Sequence, residues 1–196
     1  MRSRSQSCPD DDRLLVRRAK GGCVESFAAL MTRHQVGVAH YVRQVLGAAS
    51  PDVDDMVQEA FVRAHRSLAD YDERWAFSTW LFTIARRCCL NHARAERRRR
   101  RRDTSVARPE TAAASGDPLA TVIAVEAGVS LWAAARVVLT ERQFSALWLR
   151  YVEDLPLEDV AAVLECPVGT AKTLLFRARV RLASVVDDGR SMERVS

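Results

Sequence analysis

Six consecutive arginines at positions 97–102, followed at 103–118 by a stretch rich in Ala, Ser, Thr, Pro and Gly, constrain this chain more than any other feature. Arginines so closely spaced repel one another along a helix and fray it unless an anion lies alongside. The stretch after them carries no apolar period from which a core can be built. It reads as a linker, and each side must bury a core of its own; 196 residues suffice for two small domains. On both sides the apolar residues recur at three-to-four spacing and never alternate. The predicted fold class is therefore all-α, two small helical domains joined by a flexible linker. The expected boundaries are an N-terminal segment 1–22, a first domain 23–102, a linker 103–120, a second domain 121–186 and a tail 187–196.

The net charge of +5 suggests an anionic partner, and its distribution is more telling than its size. Residues 1–102 hold 20 Lys and Arg against 12 Asp and Glu, whereas 103–196 hold 10 against 13. No apolar run approaches the roughly 20 residues that span a bilayer, and positions 1–12 lack the apolar segment of a secretory signal, which predicts a cytoplasmic protein. Five cysteines without C-x-x-C spacing argue against a disulfide framework or a zinc knuckle. Cys88 and His92 stand one helical turn apart, but two ligands do not make a metal site. His34, His40 and His65 have no nucleophile or paired carboxylate near them in sequence, and no glycine-rich phosphate loop occurs. The reading is of a protein that is not an enzyme and takes neither cofactor nor metal.

In the first half, Phe27, Leu30, Met31, His34, Val38, Tyr41 and Val45 form one stripe, predicting a long helix that ends near Gly47. Ser50 as cap with Pro51 at the first helical position predicts a second helix to about Leu68. It would bury Val53, Val57, Ala60, Phe61, Ala64 and Leu68 and leave Asp54, Asp55, Gln58, Glu59, Arg63 and Arg66 to water or a partner. Residues 70–77 read as an aromatic loop, after which Ser78 or Thr79 would cap a third helix to about Arg94, with Leu81, Ile84, Ala85 and Cys88 inward. Helical pattern resumes near Thr121. Thr140 and Gln143 make a capping box flanked by Leu139 and Phe144 as a hydrophobic staple. The helix so started would bury Phe144, Leu147, Trp148 and Tyr151 and break at Asp154-Leu155-Pro156.

Two short helices follow, with apolar repeats at Leu157, Val160, Ala161 and Leu164, then at Ala171, Leu175, Ala178 and Leu182. The turn between them, 165–169, is tight, so the pair describes a DNA-binding helix-turn-helix at about Leu155 to Leu182. At 100° per residue the second helix turns Lys172, Thr173, Phe176 and Arg177 outward. Arg and Lys donate to guanine, Thr bonds either way and Phe packs on a thymine methyl; Arg179 and Arg181 suit phosphates. No acidic residue lies between Glu165 and Asp187 to repel a phosphate backbone. A solvated basic helix is the ordinary alternative, but an outward Phe176 argues for a covering partner.

Leu155-Pro156-Leu157-Glu158-Asp159-Val160-Ala161, Pro167-Val168-Gly169-Thr170-Ala171-Lys172-Thr173 and Phe176-Arg177-Ala178-Arg179 together resemble region 4 of an extracytoplasmic-function sigma factor, the small two-domain branch of the sigma-70 family. Asp54-Asp55-Met56-Val57-Gln58-Glu59-Ala60-Phe61 resembles the region 2 helix that binds the polymerase clamp. Trp80-Leu81-Phe82-Thr83-Ile84-Ala85-Arg86-Arg87 resembles its −10-reading helix. The resemblance implies core RNA polymerase and promoter DNA as partners, an anti-sigma factor, no membrane insertion, and promoter-specific initiation as the function.

By the same resemblance, Asp54, Asp55, Gln58 and Glu59 would dock on the clamp. Trp75, Phe77, Ser78, Thr79 and Trp80 would capture an unstacked −10 base, for which aromatic faces suit, although core packing explains Trp80 and Phe82 equally well. Arg86, Arg87 and Arg94 would meet phosphates, and the arginine run would strengthen duplex binding without reading sequence. Lys172, Thr173, Phe176, Arg177 and Arg179 would serve the −35 element. The family usually has glycine where Glu165 stands, and often arginine at Leu174. Two other readings compete: a sigma-like decoy that sequesters an anti-sigma factor, and a plain helix-turn-helix regulator. Lys172, Arg177 and Arg179 count against the first, and the clamp-type motif counts against the second.

Overall fold

The computed structural model describes residues 9–47, 50–103 and 131–193, and among these there is helix, turn and loop but no strand. The chain divides into two units, 1–94 and 95–196. The expected linker from 104 onward and the resumption of helix near Thr121 lie outside the described residues.

The first unit opens with a helix inside the span expected as a polar N-terminal segment, 1–22. Helix α1 (Pro9–Lys20) has proline at its first position and acids in its first turn, where the helix dipole favours them. It ends in a glycine-type cap: Gly22 adopts φ +91°, its amide donates to the Ala19 carbonyl, and the Cys23 amide donates to that of Arg18. Its buried face is short, with Val16 and Asp12 against α2 (Val24–Leu46).

Helix α2 buries Phe27, Leu30, His34, Val38 and Tyr41 as expected and closes at Gly47, φ +110°. Helix α3 (Val53–Arg66) begins later than predicted. The Ser50 hydroxyl takes the Asp52 amide at 3.4 Å, closing a turn ahead of the helix, so Pro51 lies in that turn. Val53, Ala60, Phe61 and Ala64 are buried, and Leu68 is buried in a short 3-10 turn (Leu68–Asp70) rather than in α3.

Helix α4 (Phe77–Asp103) starts ahead of both proposed caps. The Trp80 amide already donates to Ala76, which places Ser78 and Thr79 inside the first turn. Far from fraying at about Arg94, α4 continues through all six arginines, with Glu96 and Arg100 paired one turn apart at 3.8 Å.

In the second unit, helices α5 (Leu131–Val138), α6 (Glu141–Tyr151), α7 (Leu157–Val163) and α8 (Val168–Glu193) bury an aromatic cluster at one end. Trp132 lies 4.9 Å from Trp148 and 5.9 Å from Phe144, ring to ring. The capping box is complete: the Gln143 amide donates to Thr140 Oγ1 and the Thr140 amide to Gln143 Oε1, with Leu139 and Phe144 buried beside it. Tyr151, expected inside, is exposed. It is the last residue of α6, and its hydroxyl meets Arg179 at 3.5 Å instead. Beyond it Asp154 takes φ +53° and the chain turns into α7.

Helix α7 ends with the same pair of bonds that closes α1: the Glu165 amide donates to Ala162 and the Cys166 amide to Ala161, both at 3.0 Å. Here the left-handed residue is Glu165, φ +51°, and not a glycine. Arg142 donates to the neighbouring Leu164 carbonyl at 2.9 Å. Because the Pro167 carbonyl already takes the Thr170 and Ala171 amides, α8 starts at Val168 and the turn is shorter than the 165–169 expected. At its other end α8 runs to Glu193, through most of the segment expected to be a tail.

These caps give two predictions of opposite sign, read in thermal unfolding of the intact chain. Thr140→Ala removes the hydroxyl that accepts the Gln143 amide and destabilises the second unit by about 1 kcal/mol. Glu165→Gly relieves a left-handed side-chain residue and stabilises it by about 1 kcal/mol.

Candidate nucleic-acid interface

Helix α8 divides along its length as the 100° step requires. Ala171, Leu175 and Ala178 are buried against α6 and α7, while Lys172, Thr173, Arg177 and Arg179 are exposed. Phe176 stands 60 % exposed on the same outward face, and Val180 lies one turn on, also exposed. Thr173 is more restricted than its residue type suggests, because its hydroxyl donates to the Gly169 carbonyl at 2.9 Å. It keeps only acceptor capacity for a partner. Leu174, at the position where an arginine was looked for, is half-buried.

In the first unit the expected −10 residues separate into two groups. Trp75 is 38 % exposed, Ser78 and Trp80 are half-buried and Arg87 is exposed. Phe77 (3 %), Thr79 (1 %) and Arg86 (5 %) are buried, so these three side chains face the core and not a ligand. Phe77 and Thr79 turn inward because α4 starts at Phe77, which sets the phase of its first turn. Tyr71, not singled out from sequence, completes the cluster: its ring lies 5.2 Å from Trp80 and 6.0 Å from Phe77, and its hydroxyl donates to the Trp75 carbonyl at 2.6 Å. Burial, with nearby acids, pushes its phenol up to about 12, so it keeps its proton and this bond at neutral pH.

Helix α1 braces this cluster. Lys20 donates to the Tyr71 carbonyl at 2.8 Å and lies over its ring, and Arg17 bonds Glu73 at 3.0 Å. Deeper in, the buried Asp12 carboxylate takes Arg33 Nη1 and His34 Nε2, each at 2.8 Å, while Arg33 also pairs with Asp11. The His34 ring then packs 5.3 Å from Phe77. Burial penalises the Asp12 charge, but the hydrogen bonds and charges of His34 and Arg33 outweigh it and hold the carboxyl below its usual range. The sequence signals for α1 are Pro9 followed by three acids and a closing Gly21-Gly22.

On α3, Asp54, Asp55 and Gln58 are exposed and Glu59 is half-buried, as the outward face requires. Glu59 is tied to Arg63 at 2.5 Å, which raises the guanidinium further and leaves Asp54 and Asp55 as the stronger part of the acidic face. Beside this face an apolar groove of about 470 Å³ runs between α2 and α3, with Phe27, Met31, Phe61 and Val62 in its walls. Cys88 is buried, with its thiol pushed up by that burial, and His92 faces Asp52 at 3.2 Å. Among the described residues no three His, Cys, Asp or Glu side chains gather to hold a metal, and no helix is long and apolar enough to cross a membrane.

Residues 30–99 match the family model Sigma-70 region 2, and residues 138–182 match Sigma-70, region 4. A Haemophilus influenzae protein named ECF RNA polymerase sigma-E factor is 33% identical over 174 residues, covering 86% of this chain and 91% of that protein. The Escherichia coli K12 protein of the same name is 34% identical over 174 residues, with 86% and 90% covered. Among solved structures, CnrH in complex with the cytosolic domain of CnrY is similar with a TM-score of 0.66 at 26% identity, over 91% of this chain and 99% of that one. The Bartonella quintana sigma factor RpoE, bound to the anti-sigma factor NepR, shares the fold with a TM-score of 0.58 at 20% identity, over 84% and 98%.

The Asp12 pin gives an acid-side prediction. A carboxyl whose folded pKa is depressed adds stability that is present above the unfolded value, near 3.9, and is lost as pH falls through the folded one. Asp12→Asn should therefore cost on the order of 3 kcal/mol at pH 7, and the gap to the parent protein should narrow below about pH 4. Denaturant unfolding at several pH values checks this, and a gap independent of pH would contradict it.

Proposed function

This chain belongs to the extracytoplasmic-function branch of the sigma-70 family, and we propose that it joins core RNA polymerase and directs initiation through −10 and −35 contacts made by its two units. It is an RNA polymerase sigma factor, and the reading assigns it no reaction chemistry of its own. The observation that carries the promoter assignment is the outward face of α8, where Lys172, Phe176 and Arg177 stand exposed on a helix surface without acids from Cys166 to Val186.

In this reading residues 23–102, with α1 added to them, form the polymerase-binding and −10 lobe, and 121–186 form the −35 lobe with α8 extending beyond it. Lys172 and Arg177 donate to base edges, Phe176 packs on thymine methyls, Thr173 accepts, and Arg179 meets phosphate. Trp75 and Trp80 offer stacking faces to a base of the −10 element, worth about 1–3 kcal/mol each, with Ser78 and Arg87 beside them. Phe77, Thr79 and Arg86 hold that surface from behind. Asp54, Asp55, Gln58 and Glu59 meet basic residues of the polymerase clamp. An anti-sigma partner, cytoplasmic or with a cytoplasmic domain, is proposed by likeness to the Bartonella factor, seen with the anti-sigma factor NepR, and to CnrH, seen with the cytosolic domain of CnrY.

The test mixes the purified chain with core polymerase, isolates the complex and measures run-off transcription from genomic fragments. Failure to co-purify with core would sink the reading, and binding core without opening any promoter would favour a decoy. Lys172→Ala and Arg177→Ala should each lower −35-dependent run-off by roughly 5- to 150-fold, the equivalent of about 1–3 kcal/mol, with core binding unchanged. If promoter choice is indifferent to both, the reading face of α8 has been misassigned.

A further inference from the structure

The segment 70–76 is acidic for a surface proposed to meet DNA, with Asp70, Asp72 and Glu73 just ahead of Trp75. Carboxylates in that place repel phosphates and cannot grip a strand by its backbone. What the segment offers a strand is the ring of Trp75, so its reading depends on where that ring stands. Inside the segment, the Arg74 amide donates to Asp72 Oδ1 at 3.0 Å, its guanidinium to Oδ2 at 2.8 Å, and the Trp75 amide to the Asp72 carbonyl at 3.1 Å. These bonds fix the shape of the turn. They do not fix its place on the unit.

Helix α1 supplies that place. Arg17 and Lys20 stand three residues apart on one face and reach the segment together. Arg17 donates to Glu73 from Nε at 3.2 Å and from Nη2 at 3.0 Å. Lys20 Nζ donates to the Tyr71 carbonyl at 2.8 Å and stands 5.4 Å from the centre of its ring. The Tyr71 hydroxyl then donates to the Trp75 carbonyl at 2.6 Å. Lys20, Tyr71 and Trp75 thus form one path, all of it within the first unit. The Arg17–Glu73 side chains are 68 % and 36 % exposed, and a pair so open adds little to global stability. A charge-assisted bond to a carbonyl, with a ring face beside it, makes Lys20 the firmer tie.

We infer that Lys20 is a positioning residue for −10 base capture: acting from α1 through Tyr71, it holds the Trp75 ring where it stacks on one base of the strand. This rests on the sigma reading, which places Trp75 on promoter DNA. Lys20 works from behind the ring and not by touching the strand, because its ammonium is turned to a backbone carbonyl and an aromatic face.

The experiment uses holoenzyme reconstituted with core polymerase. Its affinity is measured for two single strands: the non-template −10 strand of a promoter found by run-off, and the same strand scrambled. The ratio of the two affinities is the discrimination. Lys20→Met keeps most of the stem and removes the ammonium, and Tyr71→Phe removes the hydroxyl alone. Each should lower the discrimination by about 5-fold, the lower end of what one stacked base is worth, with binding to core polymerase and to a −35 duplex unchanged. In a chain that already carries Trp75→Ala, Lys20→Met should lower it by less than about 2-fold more, because the two residues act as one unit. The full loss repeated in the Trp75→Ala chain would show that Lys20 acts apart from that ring and overturn the inference. So would Tyr71→Phe that discriminates like the parent, or Lys20→Met that leaves the ratio unchanged, including by weakening both strands equally as a bulk charge effect does. A parent holoenzyme that does not tell the two strands apart marks failure of the sigma reading itself, which keeps the two failures distinct.

Discussion

An α-helix has one circumference to divide between its own core and everything else, and the 100° step fixes which residues fall on which side. Each functional assignment in this chain follows from that division. Where Ala171, Leu175 and Ala178 of α8 are drawn into the second unit, Phe176 and Arg177 have nowhere to go but outward. Where Ala60, Phe61 and Ala64 of α3 are buried, Asp54, Asp55 and Gln58 are presented. The start of α4 at Phe77 decides the same question for the aromatic surface, turning Phe77 and Thr79 in and leaving Trp80 at the boundary.

The first unit adds a polar constraint to this apolar one. A carboxylate as buried as Asp12 is tolerable only because Arg33 and His34 satisfy it. The geometry that satisfies it also fixes the helix that carries it. Through His34 the arrangement reaches Phe77, and through Lys20 it reaches Tyr71, so α1 and α2 together set the position of rings whose outer members are Trp75 and Trp80. The surface proposed to meet the −10 element is thus held from behind by residues that carry no motif.

Much of this was legible from periodicity alone. The all-α class, the long α2 stripe, the capping box at Thr140 and the outward set on α8 each rest on regular spacing, and regular spacing survives folding. What was not legible depended on a contact or on phase. Arg86 belongs to an arginine pair that looks suited to phosphate, and only the packing of α4 shows it is buried. Tyr151 fits a buried stripe by spacing, but it is the last residue of its helix and its hydroxyl meets Arg179. The arginine run was expected to fray, yet the structure carries α4 through it to Asp103. Helix α1 differs again: proline, acids and paired glycines mark its ends, but its buried stripe is too short to show as a period.

The hydrogen bond from Thr173 to the Gly169 carbonyl has a meaning for recognition that the residue's identity conceals. With its one proton committed to its own helix, this hydroxyl meets the outside only with lone pairs. In the −35 contact proposed for α8, a base edge opposite it has to bring the hydrogen. In the major groove adenine and cytosine do so through their exocyclic amines, while guanine and thymine offer only acceptors and a methyl. Under that proposal, an internal bond one helical turn long biases this position of the surface toward half of the genetic alphabet.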